Sequence, residues 1–301
     1  MRVSPDVPTD LPRQRGVVAV DIGGTKLAAA VVLENGSIVV RDRIATPSRD
    51  PWSALASLLN RIRAAAPDID VVACGVGCGG PMTPGGSTVS PLHIPAWRDF
   101  PLATSLADLL GVETFVDNDA KAFALGEGWL GAARGHADFV GVIIGTGVGG
   151  GMVIDGHLLQ GESTNAGHIG HVIVEPEGRP CRCGAHGCLE AYASGVALLE
   201  ETGQEARYTK RALVLRNGAY LGRALASVAA LTSVELAVIG GGIGLGWGDD
   251  FYEAARREFA ERSRLTFTKG FTIVPAALGD RSGLVGAAAL AWSGIGAVLG
   301  D

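Results

Sequence analysis

Two distant stretches of this 301-residue chain repeat the same order of apolar runs and glycine turns. In the first, VVAVDIGGTKLAAAVVLENGSIVVRDRIATP (17–47), the pattern predicts a strand, a Gly turn, a strand, an Asn-Gly turn and a strand. The second, FVGVIIGTGVGGGMVIDGHLLQG (139–161), places Gly145 where the first has Gly23. An internal duplication at such a long period predicts two related α/β halves.

The segments around the two copies alternate between predicted helices and strands. We predict a disordered tail over residues 1–15, a smaller α/β domain over 16–117 and a larger one over 118–284, with an insert at 165–190. A last helix, about 285–301, could pack on the first domain. The other predicted elements are helices at 52–66, 102–110 and 119–132, strands at 70–77, 113–116 and 235–242, and helices within 190–232.

Composition and charge exclude several classes of function. A net charge of −6 argues against nucleic acid as the main partner, and no apolar run reaches the roughly 18 residues of a membrane span. The first residues, MRVSPDVPTDLPRQRG, contain three prolines and no apolar core of a signal peptide. Five cysteines without a secretory signal therefore predict a cytoplasmic protein with reduced thiols.

Two glycine turns are candidate phosphate sites. In DIGGTK (21–26) and GTGVGGG (145–151), bare glycines let backbone N–H groups approach phosphate oxygens. Asp21, at the end of a buried strand, could hold a hydrated Mg²⁺. Each turn alone could equally be an ordinary hairpin, but two of them facing each other across a cleft would form a phosphate clamp.

Two glycine patterns resemble the G-x-G-x-x-G fingerprint of dinucleotide-binding folds. They are GVGCGG (75–80) and GTGVGG (145–150). The fingerprint requires a helix that opens directly on the glycines. The first runs into PMTPGGSTVSP and the second into GMVIDG, which alternates like a strand, so neither predicts a dinucleotide site.

A candidate catalytic carboxylate lies in FVDNDAKAFALGEGWLG (115–131), where a strand enters Asn118–Asp119 and a helix follows. Asp119 falls at or near the N-cap, where aspartate is common for structural reasons alone. The functional alternative is a general base at Asp119, with Asn118 as a neutral hydrogen-bonding partner for a hydroxyl.

The segments NAGHIGH (165–171) and CRCGAHGCLE (181–190) bring histidines and cysteines close together in the sequence. One imidazole and three thiols are a common ligand set for structural Zn²⁺, and the candidates are His171, Cys181, Cys183 and Cys188. Glu190 would then be held rigidly beside the metal site. The alternatives are three free thiols and a solvated glutamate in the first turn of a helix.

A third glycine cluster, AVIGGGIG (237–244), ends a predicted strand. It suits close passage of a flat ligand such as adenine, although a plain strand-to-helix turn explains it equally well.

Taken together, these motifs resemble the ROK family of bacterial sugar kinases, within the actin-like ATPase superfamily. The match runs in order from about residue 16 to the C-terminus and also includes GVGCGGP and the closing RSGLVGAAALA. The resemblance implies two duplicated ribonuclease-H-like domains that flank a cleft and carry a zinc-binding insert. It implies ATP, Mg²⁺ and a structural Zn²⁺ as cofactors, and a homodimer.

The same resemblance implies roles for individual residues. Asp119 is the catalytic base for the sugar 6-hydroxyl, and Asp21 organises Mg²⁺ with the ATP phosphates. His171 ligates zinc and also contacts a sugar hydroxyl. The full sugar set is Gly80, Asn118, Asp119, His168, His171 and Glu190. The nucleotide set is Asp21, Gly23, Gly24, Thr25, Lys26, Gly145, Thr146, Gly147, Gly241 and Gly242.

His168 departs from the glucokinase-like members, which carry a glutamate at this position. The change replaces a side chain that only accepts hydrogen bonds with one that can donate and accept. AGHIGH and GGGIGLGWGDDF instead resemble the bacterial N-acetylmannosamine kinase branch. We therefore predict a kinase for N-acetylmannosamine. The alternative is a glucokinase in which His168 only packs under the zinc loop.

Two further functions compete with a kinase. A ROK transcriptional repressor carries a helix-turn-helix domain before the first glycine motif, whereas residues 1–16 are few and proline-rich. A sugar-binding module without catalysis is disfavoured by Asp119, Asp21 and both glycine turns. The choice between ATP and polyphosphate as donor stays open.

Overall fold

The computed structural model describes residues 13–297, and the first of its two sheets holds the N-terminal glycine turn. Its strands are β1 (Gln14–Ile22), β2 (Lys26–Leu33), β3 (Ile38–Ala45), β4 (Ile69–Cys78) and β5 (Thr114–Asn118), in the order β3-β2-β1-β4-β5. β2 is antiparallel to β1 and β3, whereas β4 is parallel to β1 and β5. Strand β1 is buried almost throughout, because helices cover both faces of this sheet.

The second sheet repeats the first. Its strands are β6 (Phe139–Ile144), β7 (Val148–Ile154), β8 (His157–Leu158), β9 (Leu236–Gly240) and β10 (Thr272–Pro275), in the order β10-β9-β6-β7-β8. β6 and β7 are antiparallel, and β9 is parallel to β6, as β4 is to β1. The internal duplication predicted two related α/β halves, and two mixed sheets of equivalent strand order confirm that fold class.

Nine α-helices lie in the described residues. They are α1 (Pro51–Ala64), α2 (Leu102–Leu110), α3 (Asp119–Leu130), α4 (Glu190–Ala193), α5 (Gly195–Thr202), α6 (Arg211–Thr232), α7 (Gly242–Gly246), α8 (Gly248–Arg262) and α9 (Ser282–Gly294). The start of α1 shows why these boundaries form. Asp50 accepts a hydrogen bond from the backbone N–H of Ser53, and Pro51 occupies the first turn, where its missing N–H costs nothing.

Helices α3 and α9 pack against each other between the two sheets. α3 contacts β6 and β7 of the second sheet and β4 and β5 of the first, and α9 contacts β1, β4 and β5. Glycines permit this close packing, because a side chain at Gly126 would collide with the backbone of Gly286. The catalytic candidate at the start of α3 therefore lies where the two sheets meet.

The start of the first strand and the end of the last helix differ from the predicted limits. β1 begins at Gln14, so the tail predicted over 1–15 extends too far, because Gln14 and Arg15 pair with Ile69 and Asp70 of β4. The rest of that tail, residues 1–12, lies outside the described residues. The helix predicted to about residue 301 ends at Gly294, and residues 298–301 are also outside the description.

None of the helices between residues 13 and 297 combines the length and the apolar composition that crossing a membrane requires. The domain limits at residues 117 and 284 stay predictions.

Candidate functional site

The site begins with three residues in register across neighbouring strands of the first sheet. Asp21 on β1 pairs with Gly77 on β4, which in turn pairs with Asp117 on β5. Gly77 has no side chain, and a Cβ placed on it would lie only 3.6 Å from the Cα of Asp119. The start of α3 can therefore sit over the sheet close to Asp21.

Asp119 is the first residue of α3, and Asn118 is its N-cap. The backbone N–H of Ala120 donates to Oδ1 of Asn118 at 3.0 Å and to Oδ1 of Asp119 at 2.9 Å. Asp119 thus keeps Oδ2 for a ligand, and the Asn118 amide keeps its two N–H donors. Burial, followed by the negative charge of Asp21, raises the pKa of Asp119, which is the direction expected for a carboxylate that takes up a proton.

The first glycine turn joins β1 to β2 beside Asp21. Gly23 donates its backbone N–H to the carbonyl of Lys26 at 2.9 Å, and the Thr46 hydroxyl donates to the Gly23 carbonyl at 2.6 Å. Lys26 Nζ lies 3.6 Å from Oδ2 of Asp21. Burial still raises the pKa of Asp21, although Lys26 acts in the opposite direction. Gly24 and Thr25 are exposed at the tip, where a ligand can reach their backbone N–H groups.

The second glycine turn lies at the equivalent place between β6 and β7. Gly145 donates its N–H to the Gly147 carbonyl at 2.9 Å, and its own carbonyl accepts from Gly195 at 2.8 Å. The Thr146 carbonyl accepts from Val196 at the start of α5. These bonds fix the shape of the turn against the start of α5.

The third glycine cluster follows β9, next to the end of β6. Gly241 has a φ of +85° and lies so close to the carbonyl of Ile144 that a Cβ would collide with it. Gly242 then begins α7. The backbone here passes within contact distance of the strand that carries the second glycine turn, so two of the three glycine clusters line one region.

The four zinc-ligand candidates come together. The ligand atoms of His171, Cys181, Cys183 and Cys188 all lie within 4.8 Å of one another. Cys183 Sγ and Cys188 Sγ are 3.7 Å apart, and His171 Nδ1 is 3.8 Å from Cys181 Sγ. Tetrahedral zinc with Zn–S bonds of about 2.3 Å separates two sulfurs by roughly 3.8 Å. The spacing and the donor set therefore fit a four-coordinate zinc ion.

Glycines shape the hairpin that carries the three thiols. Gly184 and Gly187 have φ angles of +95° and +73°, in the left-handed region that favours glycine. A side chain at Gly187 would also collide with the backbone carbonyl of Glu175. Cys188 leads directly into α4, whose first residue is Glu190. Glu190 Oε2 accepts the backbone N–H of Val148 at 2.8 Å, next to the second glycine turn.

His168 lies next to the metal cluster, and its side chain is exposed. Its ring centroid lies 6.3 Å from that of His171, with the planes 23° apart. Burial, and then the charge of His171, lowers the pKa of His168. At neutral pH the ring is therefore neutral and offers one donor and one acceptor.

Gly80, the remaining predicted sugar contact, follows β4. Its carbonyl accepts the backbone N–H of Leu92 at 3.3 Å, which folds the loop over residues 81–98 back toward the sheet. This loop brings in His93, which sequence reasoning did not assign to the site. A Cβ on Gly24 would lie 3.2 Å from Cγ of His93, and the charge of His93 lowers the pKa of Asp119. Only a tertiary contact reveals that placement.

Comparisons with known proteins identify the family of the chain. Residues 17–293 match the sequence model of the ROK family. A glucokinase from Thermotoga maritima is 32% identical, with 93% of this chain and 98% of the relative covered. An N-acetylmannosamine kinase from Shigella boydii is 35% identical, covering 91% of this chain and 97% of the relative. A crystal structure of a ROK family glucokinase from Streptomyces griseus, in complex with glucose and AMPPNP, is 32% identical with a TM-score of 0.75, over 92% of this chain and 99% of that one.

Proposed function

The chain belongs to the ROK family and is a sugar kinase, and we propose that it transfers the γ-phosphoryl group of ATP to the 6-hydroxyl of N-acetylmannosamine. The relatives include glucokinases as well as N-acetylmannosamine kinases, so the family alone leaves the sugar open. The residue that favours the N-acetylated sugar is His168.

Asp119 is the proposed base. Its side chain is exposed to a ligand, it starts a helix over Gly77, and desolvation by the surrounding protein raises its pKa, so that Oδ2 can accept the proton of the 6-hydroxyl as the oxygen attacks phosphorus. The amide of Asn118 would donate to a neighbouring hydroxyl and orient the ring. Phosphoryl transfer depends mostly on position and charge, and both residues supply position.

The two glycine turns are the proposed phosphate clamp. Gly24 and Thr25 expose their backbone on one side, and Gly145–Gly147 lies against the start of α5 on the other. Asp21 is the carboxylate nearest the first turn and fits the hydrated Mg²⁺ that accompanies ATP. Gly241 and Gly242 would then lie along the nucleoside, where the absence of side chains permits a flat base to approach.

His171, Cys181, Cys183 and Cys188 are proposed to hold a structural zinc ion. Four protein ligands close the coordination shell, so bound zinc supplies rigidity to the loop and no open position for chemistry. His171 would also face the sugar. The chain's own contribution is the link from Cys188 through Glu190 to Val148, which sets the Glu190 carboxylate beside the cleft for sugar hydroxyls.

The choice of sugar rests on His168. A glutamate at this position could only accept hydrogen bonds, whereas a neutral imidazole can donate one to the carbonyl of an axial 2-acetamido group. A missing or unpaired buried hydrogen bond costs about 1–3 kcal/mol, which reorders related sugars without excluding any of them. Glucose is the second candidate, supported by the glucokinase relatives and the glucose complex of the Streptomyces griseus protein.

A screen of four acceptors tests the proposal. Purified protein with ATP and Mg²⁺ is offered glucose, mannose, N-acetylglucosamine and N-acetylmannosamine, and ADP release is measured. We expect the highest kcat/KM with N-acetylmannosamine. A higher value with glucose would assign the protein as a glucokinase, and replacing ATP by polyphosphate in the same assay tests the donor.

The proposal extends to a homodimer in the cytoplasm, as the sequence predicted. Light scattering behind size-exclusion chromatography tests the first of these, and a mass of one chain at assay concentration would contradict it. Fractionation of producing cells tests the second.

A further inference from the structure

Lys121 is a lysine with no exposed surface, two residues after Asp119 in the first turn of α3. Lysine is almost never fully buried unless its charge is paired, because removing an ammonium group from water is costly. Lys121 Nζ lies 3.0 Å from Oδ1 of Asp117, one turn earlier. The two partners of this buried pair therefore lie two residues before and two residues after the catalytic candidate.

All three ammonium protons have an acceptor. Besides Asp117, Lys121 donates to the backbone carbonyl of Thr164 at 3.0 Å and to the side-chain oxygen of Gln160. Gln160 closes a ring, because its amide donates to Oδ2 of Asp117 at 3.0 Å. Asp117 Oδ1 also accepts the backbone N–H of Asn118 at 2.7 Å. The network is saturated and reaches the residue next to the proposed base.

Gln160 and Thr164 belong to the loop 159–167, which runs from β8 to His168. Within the loop, Ala166 donates its N–H to the Gln160 carbonyl at 3.1 Å. Thr164 holds a φ of +59°, a conformation that a β-branched residue adopts only when its surroundings impose it. Lys121 is the surrounding group that binds the Thr164 carbonyl, so it holds the loop in this shape.

The loop in turn acts on His168. His168 follows Thr164 by only four residues, so the backbone that Lys121 binds leads directly to that ring. The end of the loop is fixed by Gly167, which packs on the backbone of Gly150 and Gly151. Because only three residues separate Thr164 from His168, we expect movement of Thr164 to shift the backbone at Gly167 and with it the ring that the proposed function places against the sugar.

We propose that Lys121 is a positioning residue that ties the loop carrying His168 to the segment carrying Asp119, so that both sides of the sugar site keep one spacing. This rests on the proposed function, because the loop matters for turnover only if the sugar binds between His168 and Asp119. The hydrogen bonds of Lys121 act on the proposed sugar site. The glycine turns proposed for ATP lie elsewhere, between β1 and β2 and between β6 and β7.

Two variants test whether Lys121 holds the loop at residues 159–167 in place. Lys121→Met removes the ammonium and leaves three acceptors without their donor. Gln160→Met keeps the Lys121–Asp117 ion pair and cuts one attachment of the loop, so it serves if Lys121→Met does not fold. The control is Lys269→Met, a change at an exposed lysine. An unpaired buried group changes an equilibrium about 5- to 150-fold.

We expect the sugar KM to rise at least about fivefold in both variants, with the ATP KM within about twofold of wild type and of Lys269→Met. The double variant should be no worse than Lys121→Met alone, because both changes act on one loop. Folded Gln160→Met with a sugar KM within twofold of wild type would overturn the proposal. So would equal losses for sugar and ATP, which indicate general loosening. Failure of the proposed function is distinct, because it would appear in wild type and Lys269→Met as a higher kcat/KM with glucose than with N-acetylmannosamine, whatever the two variants do.

Discussion

Glu190 Oε2 accepts a hydrogen bond of 2.8 Å from the backbone N–H of Val148. Glu190 follows the last cysteine of the proposed zinc site by two residues, and Val148 begins the strand after the second glycine turn. One carboxylate therefore connects the proposed metal loop to the proposed phosphate clamp. A change in either the metal loop or the phosphate clamp should therefore weaken sugar binding.

Breaking the metal site should affect sugar binding without touching the base. We expect one zinc ion per wild-type chain, and in Cys183→Ser a loss of metal affinity greater than the roughly 10- to 100-fold seen when only a partner of a ligand is changed, with a raised sugar KM. Metal analysis by plasma mass spectrometry checks this. His186→Ala, in the same hairpin but outside the four-ligand set, is the control and should keep its zinc. Folded wild type purified without chelator and free of zinc would contradict the site.

Two glycines of the second turn should respond differently to alanine. A Cβ at Gly147 would lie 2.9 Å from Glu190 Oε2, whereas a Cβ at Gly145 meets nothing within 4 Å among the described residues. We expect Gly147→Ala to displace Glu190 and raise the sugar KM about 5- to 150-fold. Gly145→Ala, the matched control, should leave the sugar KM near wild type, whatever it does to ATP. The measurement is steady-state kinetics with each substrate varied in turn. Equal sugar KM values in the two variants would show that Glu190 does not couple the second turn to the sugar site.

Asp119→Asn should abolish phosphorylation while sugar binding survives. The change keeps the size of the side chain and removes its ability to take a proton, and such groups contribute about 10²–10⁴-fold. Turnover in a coupled assay and sugar affinity by calorimetry are the measurements. Asp68→Asn, at an exposed aspartate before β4, is the control. Turnover within threefold of wild type would show that Asp119 only helps to cap α3.

The pH profile should show that Asp119 is a perturbed carboxylate. Burial and Asp21 raise its pKa, and the deprotonated form is the active one, so activity should fall as the pH drops through a value above the ordinary 3.8. The acid limb of kcat/KM for sugar reports this pKa in the free enzyme. Sugar affinity of Asp119→Asn, measured over the same range, separates out the titration of His168. An acid limb at or below 3.8 would contradict the assignment.

The sequence predicted the sheets well because their signal is local. Alternating apolar runs that stop at glycines define β1, β2, β6 and β7, and the repeat itself indicated that the two sheets are related. That the four candidate zinc ligands cluster could also be predicted, since they are close in the sequence and of a rare type. Helix ends that depend on a single cap were less certain. The cap of α3 is Asn118, whereas the pattern placed Asp119 at or near the cap.

Contacts between distant segments could not be predicted. Nothing in VDNDAKAF shows that Lys121 is fully buried or that Gln160, far along the chain, completes its ion pair with Asp117. No pattern in the sequence indicates the position of His93 either. Its place against Gly24 depends on how a proline-rich loop folds back on β4. Such networks follow from the packing of the two sheets, which a local pattern does not contain.

The most direct measurement is the ratio of kcat/KM for N-acetylmannosamine to that for glucose, in wild type and in His168→Glu. We predict a ratio above one in wild type and a shift toward glucose in the variant of about 5- to 150-fold, because the imidazole donor is replaced by a carboxylate that only accepts. His157→Glu, at an exposed histidine on β8, is the control and should keep the wild-type ratio. A wild type that prefers glucose, with the same preference in His168→Glu, would contradict the account.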